Sequence, residues 1–219
     1  MKKIVLFCVL MLMVSCDSIQ YDGKVRLVIT GQIVDKNNNP IPDAPIDVVA
    51  YREESNASDL ISYGSTDASG NFLLIIPAPK GSEDLIEVII NENDQTRQKK
   101  IYRSIKQKDF NEYKLILPKT ILYANTDLSK LEIQTRQNNP NKNISELRLT
   151  SGFEADEIVA YNPQPDDLTG IYSFLVLKNQ SVTISYKLTE YNNGTIVTTE
   201  HTETIAISDQ SNVSHTINY

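Results

Sequence analysis

From Val25 onward the apolar residues recur with a period of two rather than 3.6, and no other feature constrains the chain as strongly. Val25, Leu27 and Ile29 alternate with Arg26, Val28 and Thr30, and Val182, Ile184, Tyr186 and Leu188 form the clearest alternation. Successive strand side chains point to opposite faces, so this spacing builds half-buried strands and not amphipathic helices. The runs are short, and clusters of Asn, Asp, Gly and Pro separate them. Strands are expected at 25–34, 46–51, 61–66, 72–76, 87–90, 97–105 and 112–117. A second set is expected at 131–135, 147–150, 171–177, 182–188, 195–207 and 213–219, with Asn193-Gly194 as a hairpin turn. No long amphipathic helix is present, and residues 127–131 allow one turn at most. The expected fold class is all-β: two β-sandwich domains in tandem over 25–118 and 121–219, joined near Pro118 to Tyr123, with one long sandwich as the alternative.

Composition narrows the function. The 219 residues hold 21 Lys and Arg against 28 Asp and Glu, a formal charge of −7, with 40% hydrophobic residues. That balance is too polar for a multi-span membrane protein and too apolar for a disordered chain. It also argues against a nucleic-acid partner, which requires clustered cations.

The first sixteen residues carry a different signal. Met1-Lys2-Lys3 is followed by an unbroken apolar run from Ile4 to Val14, then Ser15-Cys16. As a helix these eleven residues cover ~16 Å, about half of a ~30 Å hydrocarbon core. That suits the apolar core of a secretory signal. Met13-Val14-Ser15-Cys16 resembles the lipobox of bacterial lipoproteins, with Met13 where Leu is commoner. The resemblance implies a signal peptide over 1–15, diacylglyceryl on the Cys16 thiol, acylation of the new amine, and a tether over 16–24. Residues 1–15 hold two Lys and no acid, so a chain starting at Cys16 carries 19 cations against 28 acids, or −9. Cys8 would leave with the signal, and Cys16 would become a thioether. No free thiol, disulfide or thiolate metal ligand then remains. An acidic residue after the lipid site, here Asp17, is common in surface lipoproteins of the Bacteroidetes type.

Three separated pieces of the first domain share a frame: Thr30-Gly31-Gln32-Ile33-Val34-Asp35, Pro40-Ile41-Pro42-Asp43-Ala44-Pro45-Ile46 and Thr66-Asp67-Ala68-Ser69-Gly70-Asn71-Phe72. Together they resemble the carboxypeptidase regulatory-like, or transthyretin-like, β-sandwich, over roughly Val25 to Leu117. Asn39 and Asp43 stand where that family often has Gly, and both residue types tolerate the left-handed region. The resemblance implies a non-catalytic stabilising, spacing or binding module, with none of the zinc-binding signature of the peptidase itself. For the second domain an Ig-like or transthyretin-like sandwich is expected.

Residues able to do chemistry are few. A metal reading would pair His201 and Glu203 on one strand face and add His215 from a neighbouring strand; the competing reading is an exposed polar strand, with His215 beside Val213 and Ile217. Nucleophilic catalysis lacks a Gly-x-Ser-x-Gly turn or a surviving thiol. Glu154, Asp156, Glu157, Asp166 and Asp167 are candidate glycosidase carboxylates or calcium ligands, but there is no Trp to form a sugar platform. Asp67-Ala68-Ser69-Gly70 reads as a turn. The eleven Tyr, among them Tyr51, Tyr63, Tyr102, Tyr113, Tyr172, Tyr186 and Tyr191, suit both cross-strand packing and contact surface.

The expectation is therefore a non-enzymatic envelope protein, held at the outer membrane through lipid on Cys16. It would have no cofactor and no metal, and its partner would be an unidentified protein or glycan. A subunit or anchor of a surface fibre, like the fimbrillin-type pilins of Bacteroidetes, is the alternative; an N-terminal strand removable at Arg26 or Arg52 would favour it. A hydrolase comes third.

Overall fold

In the computed structural model, residues 18–151, 158–160, 173–192 and 194–219 are described. The expected period of two appears as alternating burial. In β4 (Asn71–Pro79), Phe72, Leu74 and Ile76 point inward while Leu73 and Ile75 face solvent. The fold is all-β, built as two sandwiches.

In the first, one sheet has the order β4–β1–β7, where β1 is Tyr21–Val34 and β7 is Lys114–Ile116; β8 (Thr120–Ile121) pairs with the far end of β1. The facing sheet is β11–β6–β5–β2–β3, from β11 (Ile158–Ala160), β6 (Lys100–Ile105), β5 (Leu85–Ile90), β2 (Pro45–Arg52) and β3 (Ala57–Ser65). Between them lies an aliphatic core that includes Leu27, Ile29, Ile33, Ile46, Ile76 and Ile90, all nearly inaccessible to solvent. Burying side chains of this size contributes about 1.5–3 kcal/mol each.

The second sandwich packs β10–β13–β14 against β12–β9–β15. The first sheet is built from β10 (Lys142–Ser151), β13 (Gln180–Asn192) and β14 (Thr195–Ile207), the other from β12 (Ser173–Leu177), β9 (Leu128–Arg136) and β15 (Asn212–Asn218). Its core includes Leu131, Val176, Val182, Ile184 and Ile217.

The frame residues of the first sandwich interlock. A Cβ on Gly31 would stand 2.7 Å from the Phe72 ring, so only glycine lets that ring close over β1. Gly70 has φ +72°, and a Cβ there would stand 2.3 Å from the Ile33 carbonyl oxygen. Buried Thr66 donates to the Ile41 carbonyl and accepts from the Ala44 amide, which fixes the turn into β2. In the Asp67 turn, Oδ1 accepts the Ser69 and Asn71 amides. Of the two residues that stand where the resembled family often has Gly, Asp43 is left-handed (φ 56°) and Asn39 is not; in its loop the left-handed residue is Asn38 (φ 63°).

Three differences from the sequence expectation stand out. β1 begins at Tyr21 rather than Val25, and Ile19 is already buried, so most of the segment expected as tether is folded. The strand expected at 97–105 begins at Lys100. The preceding loop is held by Asn91, whose Nδ2 donates to the carbonyls of Arg97 and Gln98 at 3.2 and 3.1 Å. Finally, β11 lies within 121–219 yet pairs in parallel with β6, and Val159 packs on the first core.

The junction is packed. Tyr123 and Leu128 are buried with Ile121, Leu175 and Leu177 against them. Arg97 bridges Ala124, Asn125 Nδ2 donates to the Gln95 carbonyl at 2.8 Å, and Lys36 Nζ meets Asp127 at 2.9 Å.

Candidate functional site

The expected lipid site, Cys16, lies outside the described residues, but the segment that follows it is anchored at once. Ile19 is buried, the Gln20 carbonyl accepts the Lys80 amide at 2.8 Å, and Tyr21 Oη donates to Asp59 at 2.9 Å. Burial first, and then that carboxylate contact, raises the Tyr21 pKa far above the usual phenol range. From Cys16 to Ile19 the chain reaches at most ~11 Å.

That segment joins one pole of the first sandwich, formed by the start of β1, the loop after β4, the end of β2 and the turn after β6. The pole is built around an ion pair. Asp84, with its side chain fully buried, accepts from Arg52 Nε at 2.8 Å and Nη2 at 2.7 Å, and from the Gly81 amide at 2.9 Å. Beside it opens a pocket of about 360 Å³ with Pro79, Lys80, Ile86, Lys106 and Lys108 in its walls. The opposite pole carries the junction to the second sandwich, because the far end of β1 pairs with β8 and Val34 accepts the Leu122 amide. A strand of 14 residues, the length of β1, spans ~45 Å.

The imidazole and carboxylate residues singled out by spacing meet in the second sandwich. Glu203, on the inner face of β14, accepts from Tyr186 Oη on β13 at 2.7 Å through Oε1. Its Oε2 lies 2.6 Å from His215 Nε2 on β15. Glu203 therefore ties the edges of both sheets. His201, opposite Tyr186, stacks on that ring with centroids 5.5 Å apart and contacts Thr199 Oγ1 at 2.8 Å, so it joins the cluster by its ring face. Burial pushes the Glu203 carboxyl up, but the hydrogen bonds from Tyr186 and His215 outweigh it and hold the pKa below 4.5. Burial, then the bond to Glu203, pushes the Tyr186 phenol up to about 12. Among the described residues no three His, Cys, Asp or Glu converge as metal ligands. The chemistry of this cluster is an interlock between sheets.

Glu154, Asp156, Glu157, Asp166, Asp167 and Tyr172 lie outside the described residues. The other Tyr divide. Tyr102 is buried with its hydroxyl 2.7 Å from Thr120 Oγ1, and Tyr186 is buried, whereas Tyr63, Tyr113 and Tyr191 are exposed. Two features had no counterpart in the sequence reading. One is the lysine pocket. The other is a cleft of about 450 Å³ at the junction, where Glu92, Arg97, Lys99, Asn125 and Lys130 stand among its walls. Both gather residues that are distant in sequence and unremarkable singly.

No family model matches the chain, and no curated protein matches it. Among solved structures, it is similar to a streptococcal ancillary pilin, with 10% identity, TM-score 0.33, and coverage of 89% of this chain and 63% of that one. A similar likeness holds for the shaft pilin SpaA of Lactobacillus rhamnosus GG, with 10% identity, TM-score 0.33, and 88% and 97% coverage. A 9R-lipoxygenase from Cyanothece matches over 47% of this chain and 18% of its own, with 16% identity and TM-score 0.33. The chain thus spans less than two thirds of two of these three proteins, and at these scores no function transfers from them.

Proposed function

We propose that this chain is a lipid-anchored cell-envelope protein of non-catalytic role, held at the outer membrane through Cys16. The first sandwich would act as the carboxypeptidase regulatory-like spacer, and the second would be presented to an unidentified protein or glycan partner. The observation that carries the reading is the attachment geometry. The chain is packed from Ile19 onward at one pole of the first sandwich, and the second sandwich leaves from the other. Lipid at Cys16 would set the first pole against the bilayer and direct the second sandwich away from it. At the exposed tip of the β13–β14 hairpin, Tyr191, Ile196 and Val197 offer contact surface. Replacing Cys16 with Ala and fractionating the cells tests this: the protein is expected to leave the membrane fraction, and unchanged retention overturns the anchor.

A fibre subunit is the second reading, favoured by one edge of the five-stranded sheet, where among the described residues β3 pairs on one side only. β3 is nine residues long with exposed Leu60 and Tyr63, and it has neither the Lys nor the Pro that commonly guards an edge. Against removal of a strand at Arg26 or Arg52 stands the position of β1. It is hydrogen-bonded on both sides, and its buried residues Leu27, Ile29 and Ile33 follow Arg26. Limited proteolysis followed by light scattering separates the readings, since concentration-dependent polymers would support the fibre.

A further inference from the structure

We infer that the pocket walled by Lys80, Lys106 and Lys108 binds a phosphate group, presented by a lipid headgroup at the surface on which the first sandwich stands. The source of the phosphate rests on the anchoring reading above; the phosphate chemistry does not.

Three observations converge. The chain carries −7 overall, yet three lysines from two separate loops line one cavity of about 360 Å³, where Asp84 is the acid among the lining residues. The acids near them have hydrogen-bond partners of their own, and among the described residues none is ion-paired to these lysines. Asp84 is buried against Arg52, Asp109 Oδ2 accepts the Lys106 amide at 2.8 Å, and Glu83 Oε1 is 3.4 Å from Ser82 Oγ. Among the described residues none of the three lysines forms a salt bridge, whereas Lys36, Lys99, Lys130, Lys142 and Lys187 each do. Like charges gathered around one cavity repel, an anion that enters relieves the repulsion, and lysine is an effective point-charge partner for phosphate. Finally, the pocket adjoins the tether. The Lys80 amide bonds the carbonyl of Gln20, four residues in sequence from Cys16, so this wall adjoins the segment that lipid on Cys16 would hold at a membrane.

The remaining walls fit the same ligand. Pro79 and Ile86 also line the cavity and supply apolar contact, suited to the glycerol portion of a headgroup. Asp22 lies near Lys80, but its carboxylate is held by the Lys24 and Val25 amides at 2.7 and 2.9 Å.

The experiment uses the chain from Ser18 onward, which contains every buried residue of both cores and no lipid site. Cosedimentation is measured with phosphatidylcholine vesicles, with and without 30% phosphatidylglycerol. Inorganic phosphate is titrated in parallel, with the amide signals of Lys80, Gly81 and Lys106 followed by NMR. Retention on the phosphatidylglycerol vesicles only is expected. Each Lys→Gln substitution should weaken it about fivefold, with the thermal midpoint unchanged, and the triple Lys→Arg variant should restore it. Shifts with inorganic phosphate but no vesicle retention would overturn the headgroup and assign the site to a free phosphate. Equal retention on both vesicles, or no dependence on the three lysines, would overturn the site itself. Because Cys16 is absent from this chain, failure here leaves the fractionation test of the anchor untouched.

Discussion

The first sandwich encloses a core of aliphatic and Phe side chains between a five-stranded and a four-stranded sheet, whereas the second stretches a smaller core between two three-stranded sheets and closes it with charge. Its edge is tied by the partly exposed Glu203 between Tyr186 and His215, whereas the polar contacts of the first sandwich, Arg52 with Asp84 and Tyr102 with Thr120, are more deeply buried beside its larger apolar core. With fewer strands there is less apolar area to bury, and a polar interlock supplies alignment that packing does not. The comparison teaches where each half should be sensitive: the first to volume, the second to protonation.

The largest effect is expected from volume. Replacing Ile46, at the centre of the first core, with Ala should cost about 3–4 kcal/mol. In hydrogen exchange, β1, β2 and β5 should lose protection before β13 and β14. Uniform loss across both sandwiches would dissolve the comparison and make the packed junction the dominant fact. Next comes Gly70→Ala, where a left-handed φ and a Cβ 2.3 Å from a backbone oxygen leave no room to relax. About 2–3 kcal/mol is expected by chemical denaturation, against about 1 for Gly194→Ala, whose Cβ meets nothing within 4 Å so that only the positive φ is strained.

Protonation distinguishes the second sandwich. The Glu203 carboxyl is held below its ordinary 4.5 in the fold, so its contribution is present above that value and disappears as pH falls through the folded value. Thermal midpoints should therefore drop on acidification below about pH 4.5. Glu203→Gln should flatten that drop while costing about 1 kcal/mol at neutral pH. An unchanged acid limb in the variant would remove the interlock from the account. The smallest effect belongs to the hairpin tip. Tyr191→Ser and Ile196→Thr should stay within ~0.5 kcal/mol of the parent, since both side chains are exposed. A larger loss would show that the tip packs against something.

Much of this architecture was legible in local sequence. Alternation placed β2, β4, β13 and β14 within a few residues of their observed bounds, because period-two burial is a property of each strand by itself. The turn residues Gly70 and Asp43 were legible for the same reason. What escaped was pairing. The parallel partners β1 with β7, β9 with β15 and β6 with β11 are joined by no hairpin and leave no mark at either strand. Spacing did group His201, Glu203 and His215, but as a metal reading, where Glu203 and His215 instead form an interlock. It could not show that Tyr186 would take the remaining oxygen, since that contact depends on register. The lysine pocket was hidden because Lys80 and Lys106 acquire their meaning only when two loops converge.

The pairing of β15 with β9 has a consequence in time. Leu131 and Val213 are register partners roughly eighty residues apart, and the Tyr219 carbonyl oxygen accepts the Asn138 and Asn139 amides. Until those downstream residues emerge, β9 has an open side and Ile217 is missing from the core it helps fill. As the chain is synthesised, the first sandwich has its β1–β8 strands early and lacks only β11, whereas the second must wait for β15. The half of the molecule proposed to meet a partner is therefore the half whose edge stays unsatisfied longest, and the interval between synthesis of β9 and its closure by β15 is when it is most open to chaperones, proteases and copies of itself.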